Sequence, residues 1–257
     1  MRQTIRKAMR VLDLFSLARP EWGVGEVARC LELPKSTTSE LMASLADERL
    51  LARTAKGRYR LGWQLFELSQ TLLDTTEFRT EARRLMEELV RSWGETVHLA
   101  VLDGVQAVYV EKLQPTPAIK ICISRTGARL PAHCSGVGKV LLASSEWDHV
   151  AALFEDQGMP ALTSNTITTL DLLNKELCKV REQGYALDEE ESMVGLCCVA
   201  APIRDPAGTT VAAVSISVPA YRFHTKEKDY ADAVLDTAWR ISESARPKPR
   251  EFSNQRM

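Results

Sequence analysis

No stretch of this 257-residue chain comes near the roughly 20 consecutive apolar residues that a membrane-crossing helix needs. A secretory leader is not expected either. Arg2, Arg6, Lys7 and Arg10 precede the apolar VLDLFSLA, but that run is short and Asp13 breaks it. Ile5, Ala8, Met9, Leu12 and Phe15 or Ser16 instead keep helical spacing, which predicts an amphipathic first helix. Cysteine is scarce and unpatterned. Cys30, Cys122, Cys134, Cys178, Cys197 and Cys198 form no disulfide framework, no CxxC pair is present, and no two histidines stand at HxxxH spacing. Reduced thiols in a cytoplasmic protein are the expectation. Net charge is nearly absent too, at −1, but neutrality hides a division. Residues 1–62 carry 12 Lys/Arg against 7 Asp/Glu, and the remainder 21 against 27. A basic head on an acidic body suits a phosphate-binding module confined to the N-terminus.

That head has a readable pattern. Val24, Val27, Ala28 and Leu31 recur at helical spacing, and Leu33-Pro34 stops the helix because the residue before proline is pushed out of the α region. A second helix is predicted from Lys35-Ser36, with a hydroxyl capping its free N–H groups. Thr38, Leu41, Met42 and Leu45 form its buried stripe, while Ser36, Ser39, Glu40, Ala43 and Asp47 lie opposite. Leu50–Arg53 and Arg58–Leu61 then flank a Gly57-containing turn as a hairpin made basic by Arg53, Lys56, Arg58 and Arg60. Two helices about a tight turn followed by a basic flap form a winged helix-turn-helix, which places one helix in the DNA major groove. A helical hairpin serving only protein contacts is the bland alternative, and the local charge weighs against it.

With 45% hydrophobic residues the chain can bury more than one core. A linker helix is predicted after Gly62 from Leu65, Leu68, Leu72 and Leu73, and another helix over EFRTEARRLMEELVRSWG. The period then changes. Strands are predicted at 96–102 and 107–113 around Asp103-Gly104, at 119–124, at 198–203 and at 211–218. Helices are predicted at 136–143, around 147–154, at 170–183 and at 226–244. The mixture points to an α+β class.

Five ordered blocks carry a resemblance. They are LPKSTTSELMASL, GETVHLAVLDGVQAVYVEK, GARLPAHCSGVGKVLLA, REQGYALDEEESMVGLCCVAAPIRDPAG and VAAVSISVPAYR. Over nearly its whole length the chain resembles the IclR family of transcriptional regulators. The resemblance implies a winged helix-turn-helix at 1–62, a linker helix at 63–78, and a GAF-like α/β effector-binding domain at 79–246. The polar tail at 247–257 is expected to be disordered. It implies binding to a double-stranded DNA operator, homodimers that pair into tetramers, no cofactor, and a small organic acid as effector. The implied cavity is lined by Ser135, Gly136 and Val137 at a helix start, by Leu130, Ile119 and Cys122, by Asp188, Leu196 and Cys198, and by Ser215 and Ser217 of the last strand. Elementary geometry agrees in part: a Gly-containing helix start offers backbone N–H groups to an anion, and alternate serines on one strand share a face.

The DNA-facing set is Lys35, Ser36, Thr37, Thr38, Ser39, Glu40 and Arg58, with Ser39 and Glu40 as base readers. Glu40 stands where family members often carry a basic residue, so the operator is expected to be this chain's own. The expected mechanism is repression of a catabolic operon through an effector that binds two states of the protein unequally. Two rival readings start from the same residues. His133 and the cysteines could make a zinc- or thiol-responsive regulator. A Cys/His/Asp hydrolase from Cys134, His133 and Asp188 is disfavoured, because neighbouring strand residues point to opposite faces.

Overall fold

The computed structural model describes residues 2–75, 79–115 and 124–244. The strand expected at 119–124, with Ile119 and Cys122, and the tail at 247–257 lie outside the described residues. The chain divides into two compact units between residues 76 and 77. The helix expected as a separate linker therefore counts with the N-terminal unit.

In the N-terminal unit, α1 (Arg2–Leu12), α2 (Val24–Leu31) and α3 (Lys35–Asp47) precede a hairpin of β1 (Leu51–Arg53) and β2 (Tyr59–Leu61), and α4 (Gln64–Asp74) follows. Val11, Trp22, Val27, Leu31, Met42, Leu45, Leu51 and Tyr59 form one apolar core. Trp22 ties the hairpin down: its backbone pairs with Tyr59 in both directions, and its indole N–H donates to the Leu14 carbonyl at 2.9 Å. α1 ends at Leu12, short of the expected Phe15 or Ser16. α2 stops because Glu32 turns left-handed (φ 55°), with the Leu33 N–H bonded to the Ala28 carbonyl. The expected hydroxyl cap on α3 is not formed; Pro34 occupies the N-cap and no side chain caps the helix. Its first N–H groups are thus left without side-chain partners, as an anion-binding helix start requires.

The C-terminal unit is a six-stranded, wholly antiparallel sheet in the order β5-β4-β3-β8-β7-β6. Its strands are β3 (Thr96–Asp103), β4 (Gln106–Leu113), β5 (Arg129–Pro131), β6 (Ala186–Glu189), β7 (Leu196–Arg204) and β8 (Thr210–Pro219). Strict alternation sorts the two faces. Val97, Leu99, Cys197, Val199, Val214 and Ile216 face one core, completed by α5 (Arg79–Trp93), the short α9 (Ala220–Phe223) and α10 (Glu227–Ser244). Ala100, Tyr109, Ala186, Ala200 and Ala213 face the other, under α6 (Gly136–Ala143), α7 (Trp147–Gln157) and α8 (Leu170–Gln183). Small residues on that second face let α6 lie almost on the backbone. A Cβ at Gly136 would stand 3.3 Å from the Ala200 Cβ, and one at Gly138 only 2.3 Å from the Ala132 Cα and carbonyl oxygen. Strands β5 and β6, and helix α9, are too short for their alternation or period to show in the sequence.

Candidate functional site

In the N-terminal unit, the outer face of α3 carries Lys35, Ser36, Ser39, Glu40, Ala43, Ser44 and Asp47 exposed, with Thr37 half-buried. Two of the expected DNA contacts are corrected. Thr38 is fully buried and donates its hydroxyl to the Pro34 carbonyl at 3.0 Å, so it is a core residue. Arg58 is folded inward. Its Nη2 lies 2.6 Å from Glu26 Oε2 and donates to the Glu21 carbonyl at 3.0 Å, and it also pairs with the Glu21 carboxylate. Glu26 is itself held by the Gly23 N–H, which with Arg58 draws its carboxyl down to about 2. Arg58 thus braces the wing on α2, with its side chain 34% exposed. The exposed cations of the wing are Arg53, Lys56 and Arg60.

In the C-terminal unit the expected serines do share a face. Ser215 and Ser217 alternate on β8, pairing with His98 and Thr96 of β3 on one side and with Ala200 and Cys198 of β7 on the other. A residue that sequence reading missed completes the group. His98 is wholly buried, with Nε2 2.6 Å from the Ser124 hydroxyl and Nδ1 3.3 Å from that of Ser217, whose oxygen lies 3.1 Å from Cys198 Sγ. Tyr109 stacks on the imidazole at 4.5 Å, and the Lys112 ammonium donates to the Ser124 carbonyl at 2.6 Å. Burial, reinforced by the Lys112 charge, pushes His98 down to about 3, so it is neutral. When the neutral imidazole donates its Nδ1–H to Ser217, that hydroxyl's own hydrogen is free to turn toward a bound acceptor. Leu130 and Val137 pack in the same apolar cluster as Tyr109, and Leu196 is buried on β7 beside Cys198.

Other expected members are committed elsewhere. Ser135 caps α6, accepting from the Gly138 N–H at 3.2 Å. Asp188 lies on the same sheet face, in register with Cys198, but its oxygens are taken by the Glu191 N–H at 2.8 Å, the Ser192 N–H at 3.3 Å and the Ser192 hydroxyl at 2.6 Å. It shapes its own loop. That loop is pinned from below by Lys139 of α6, a fully buried lysine that the apolar run GVGKVLLA conceals. Its Nζ lies 2.5 Å from Glu191 Oε1 and 2.9 Å from Glu176 Oε1. Two carboxylates keep Lys139 charged, while burial pushes the Glu191 carboxyl up to about 7.

The rival constellations are not assembled. Residues 132–134 form a 3-10 turn rather than the strand assumed for them. His133 Nε2 is 3.2 Å from the Pro160 carbonyl, and burial pushes the Cys134 thiol up to about 12, far from a thiolate. Among the described residues, the group of possible metal ligands that converges contains neither His133 nor a cysteine.

Residues 4–55 match the IclR helix-turn-helix domain, and residues 70–243 match the bacterial transcriptional regulator IclR C-terminal model. The chain is similar to the HTH-type transcriptional regulator XynR of Escherichia coli K12, at 35% identity over 84% of this chain and 85% of that protein. It is 32% identical to the HTH-type transcriptional repressor AllR of Salmonella typhi, over 96% of this chain and 91% of that one. Its fold matches an IclR homolog of Microbacterium hydrocarbonoxydans solved in complex with 4-hydroxybenzoate, with a TM-score of 0.81 at 24% identity, covering 94% and 98% of the two chains. Because both family models match, in the order the two units occupy, this chain belongs to the IclR family of transcriptional regulators.

Proposed function

We propose that this regulator is a repressor of a catabolic operon, released or engaged by a small organic acid bound over the β3–β8–β7 face of the C-terminal unit. The observation that carries the reading is a buried polar strip across the middle of that sheet face: Ser215, Ser217 and the neutral His98, with the Lys112 ammonium at one end. Hydroxyl donors suit a carboxylate, the lysine supplies a favourable field, and Leu130, Val137 and Leu196 suit an organic body. The relative solved with 4-hydroxybenzoate, an aromatic acid, and the repressor name of AllR both support it. The test begins with genomic footprinting and a screen of carboxylic acids from the neighbouring pathway by calorimetry. Charge-assisted hydrogen bonds contribute about 1.5–3 kcal/mol each, so Ser215→Ala/Ser217→Ala should weaken the confirmed acid at least about 100-fold. Unchanged affinity in that variant would sink the assignment.

On DNA, Lys35, Ser36 and Thr37 position the start of α3 on phosphate, joined by Arg53, Lys56 and Arg60 of the wing, while Ser39 and Glu40 face the bases. A homodimer or tetramer presents two or four such heads. A carboxylate can accept from the cytosine amine, and a good base contact discriminates by about 1–3 kcal/mol. Glu40→Ala should therefore relax preference at one position of the site while total affinity changes little. Binding-site selection on the variant checks this; recovery of the same motif at full stringency would refute base reading by Glu40.

A further inference from the structure

We propose a divalent-metal site of zinc-type preference on the C-terminal unit, formed by Glu189, His224 and Glu227. The three come from separate elements: Glu189 ends β6, His224 follows α9, and Glu227 opens α10. One ligand atom from each lies within 4.8 Å of the other two. Tetrahedral ligands bound at about 2.0–2.2 Å stand roughly 3.3–3.6 Å apart, so the side chains close by about an ångström to complete the set. Alternation on β6 sends Asp188 toward the serine face and Glu189 toward the opposite one, where α9 and α10 pack. The site is therefore distinct from the candidate effector site on the other side of the sheet.

The backbone at each ligand is fixed. The Glu189 carbonyl accepts from Asn165 Nδ2 at 3.0 Å, and the α9 start is tied by the Ala220 N–H to the Gly195 carbonyl at 2.9 Å. Phe223, fully buried and stacked on Tyr230, anchors the residue beside His224. Glu88 is matched with Arg240, Glu95 with Arg222 and Glu111 with Arg83. Among the described residues, neither Glu189 nor Glu227 forms a salt bridge, although their oxygens converge with an imidazole. Two carboxylate oxygens and one imidazole nitrogen suit zinc and its neighbours, and three protein ligands leave a position open to water. An ion there would clamp the end of β6, one residue from the Asp188 loop, to the start of α10.

Zn2+ titrated by calorimetry into the chelator-treated full-length protein should bind saturably at one ion per chain and raise the thermal midpoint. His224→Ala and Glu189→Gln/Glu227→Gln should each weaken binding by at least about tenfold. All three side chains are at or near the surface, so the variants should keep the wild-type midpoint without metal. Co2+ in place of zinc should give ligand-field bands without a thiolate charge-transfer band. Absence of saturable binding, equal affinity in the variants, or a thiolate band would each overturn the site.

Discussion

Replacing Lys139 with methionine should destabilise the C-terminal unit by about 3–5 kcal/mol at neutral pH, the usual cost of removing one partner from a buried ion pair. Methionine fills much of the same volume, so the loss isolates charge from packing. What remains is Glu191, 9% exposed in its side chain and with Oε2 already lacking a partner, and Glu176 at 19%. Glu191, already near 7 beside the lysine, is pushed higher without it and escapes by taking a proton, so the penalty should grow as pH rises above 7. Adding Glu191→Gln should recover part of the stability. Denaturant unfolding followed by the fluorescence of Trp93, Trp147 and Trp239 measures all of this; a wild-type midpoint in the single variant would show that the triad contributes nothing.

The same carboxyl leaves a signature in the unmodified protein. The folded pKa of Glu191, about 7, lies above the ordinary 4.5, so its contribution to stability is complete below 4.5 and is lost as pH rises through 7. His98 runs the other way: held near 3 instead of 6.5, it contributes fully above 6.5 and loses that contribution as pH falls. His133, lowered by burial, adds to the His98 slope. Between 4.5 and 6.5 the carboxyl and imidazole slopes oppose each other. Glu191→Gln removes one of them, so stability in that variant should rise with pH more steeply than in the wild type. Asp188 and Glu95, also raised by burial, are present in both proteins and largely cancel in the comparison.

Gly138→Ala should be nearly as damaging, against the intrinsic trend. In an exposed helix, alanine is favoured over glycine by about 0.8–1 kcal/mol. At Gly138 the new Cβ would lie 2.3 Å from backbone atoms of Ala132 and 2.6 Å from the Ser135 hydroxyl, and backbone cannot swing aside as a flexible side chain does. Overpacking of a rigid core costs about 1–3 kcal/mol and more where backbone must move. The net effect should be destabilising by a few kcal/mol, with α6 displaced from the sheet. Gly25→Ala is the internal control, since its Cβ meets nothing within 4 Å. It should stabilise the N-terminal unit, and equal effects from the two substitutions would refute the packing account.

The helix-turn-helix was legible because its information is local: Val24, Val27, Ala28 and Leu31 are spaced by one helix period, and Pro34 sits beside the turn. The family blocks extended that legibility to the sheet. Roles that depend on long-range contact were not legible. Thr38 lies on both the apolar stripe and the list of DNA contacts, and only burial decides between them. Arg58 reads as a wing cation until Glu21 and Glu26, more than thirty residues earlier, are seen to hold it. Lys139 looks like the solvent edge of an amphipathic helix, because nothing nearby says that α6 is covered all round. His98 was the most recoverable. Alternation in TVHLAV puts it on the face of Ala100, but its meeting with Ser217 requires the β3–β8 register.

That register has a further consequence during synthesis. β8 lies in the middle of the sheet between β3 and β7, so Thr96 has no neighbour on that side until Ser217 has been made. The C-terminal unit cannot close until almost its whole length has left the ribosome, and such distant pairings form slowly. The N-terminal unit needs only contacts within its first 76 residues. Domains made first fold first. Each new chain therefore passes through an interval in which the helix-turn-helix head can fold while the sheet of the C-terminal unit remains open. A chain broken before β8 stays in that condition permanently, with a folded head and an open sheet.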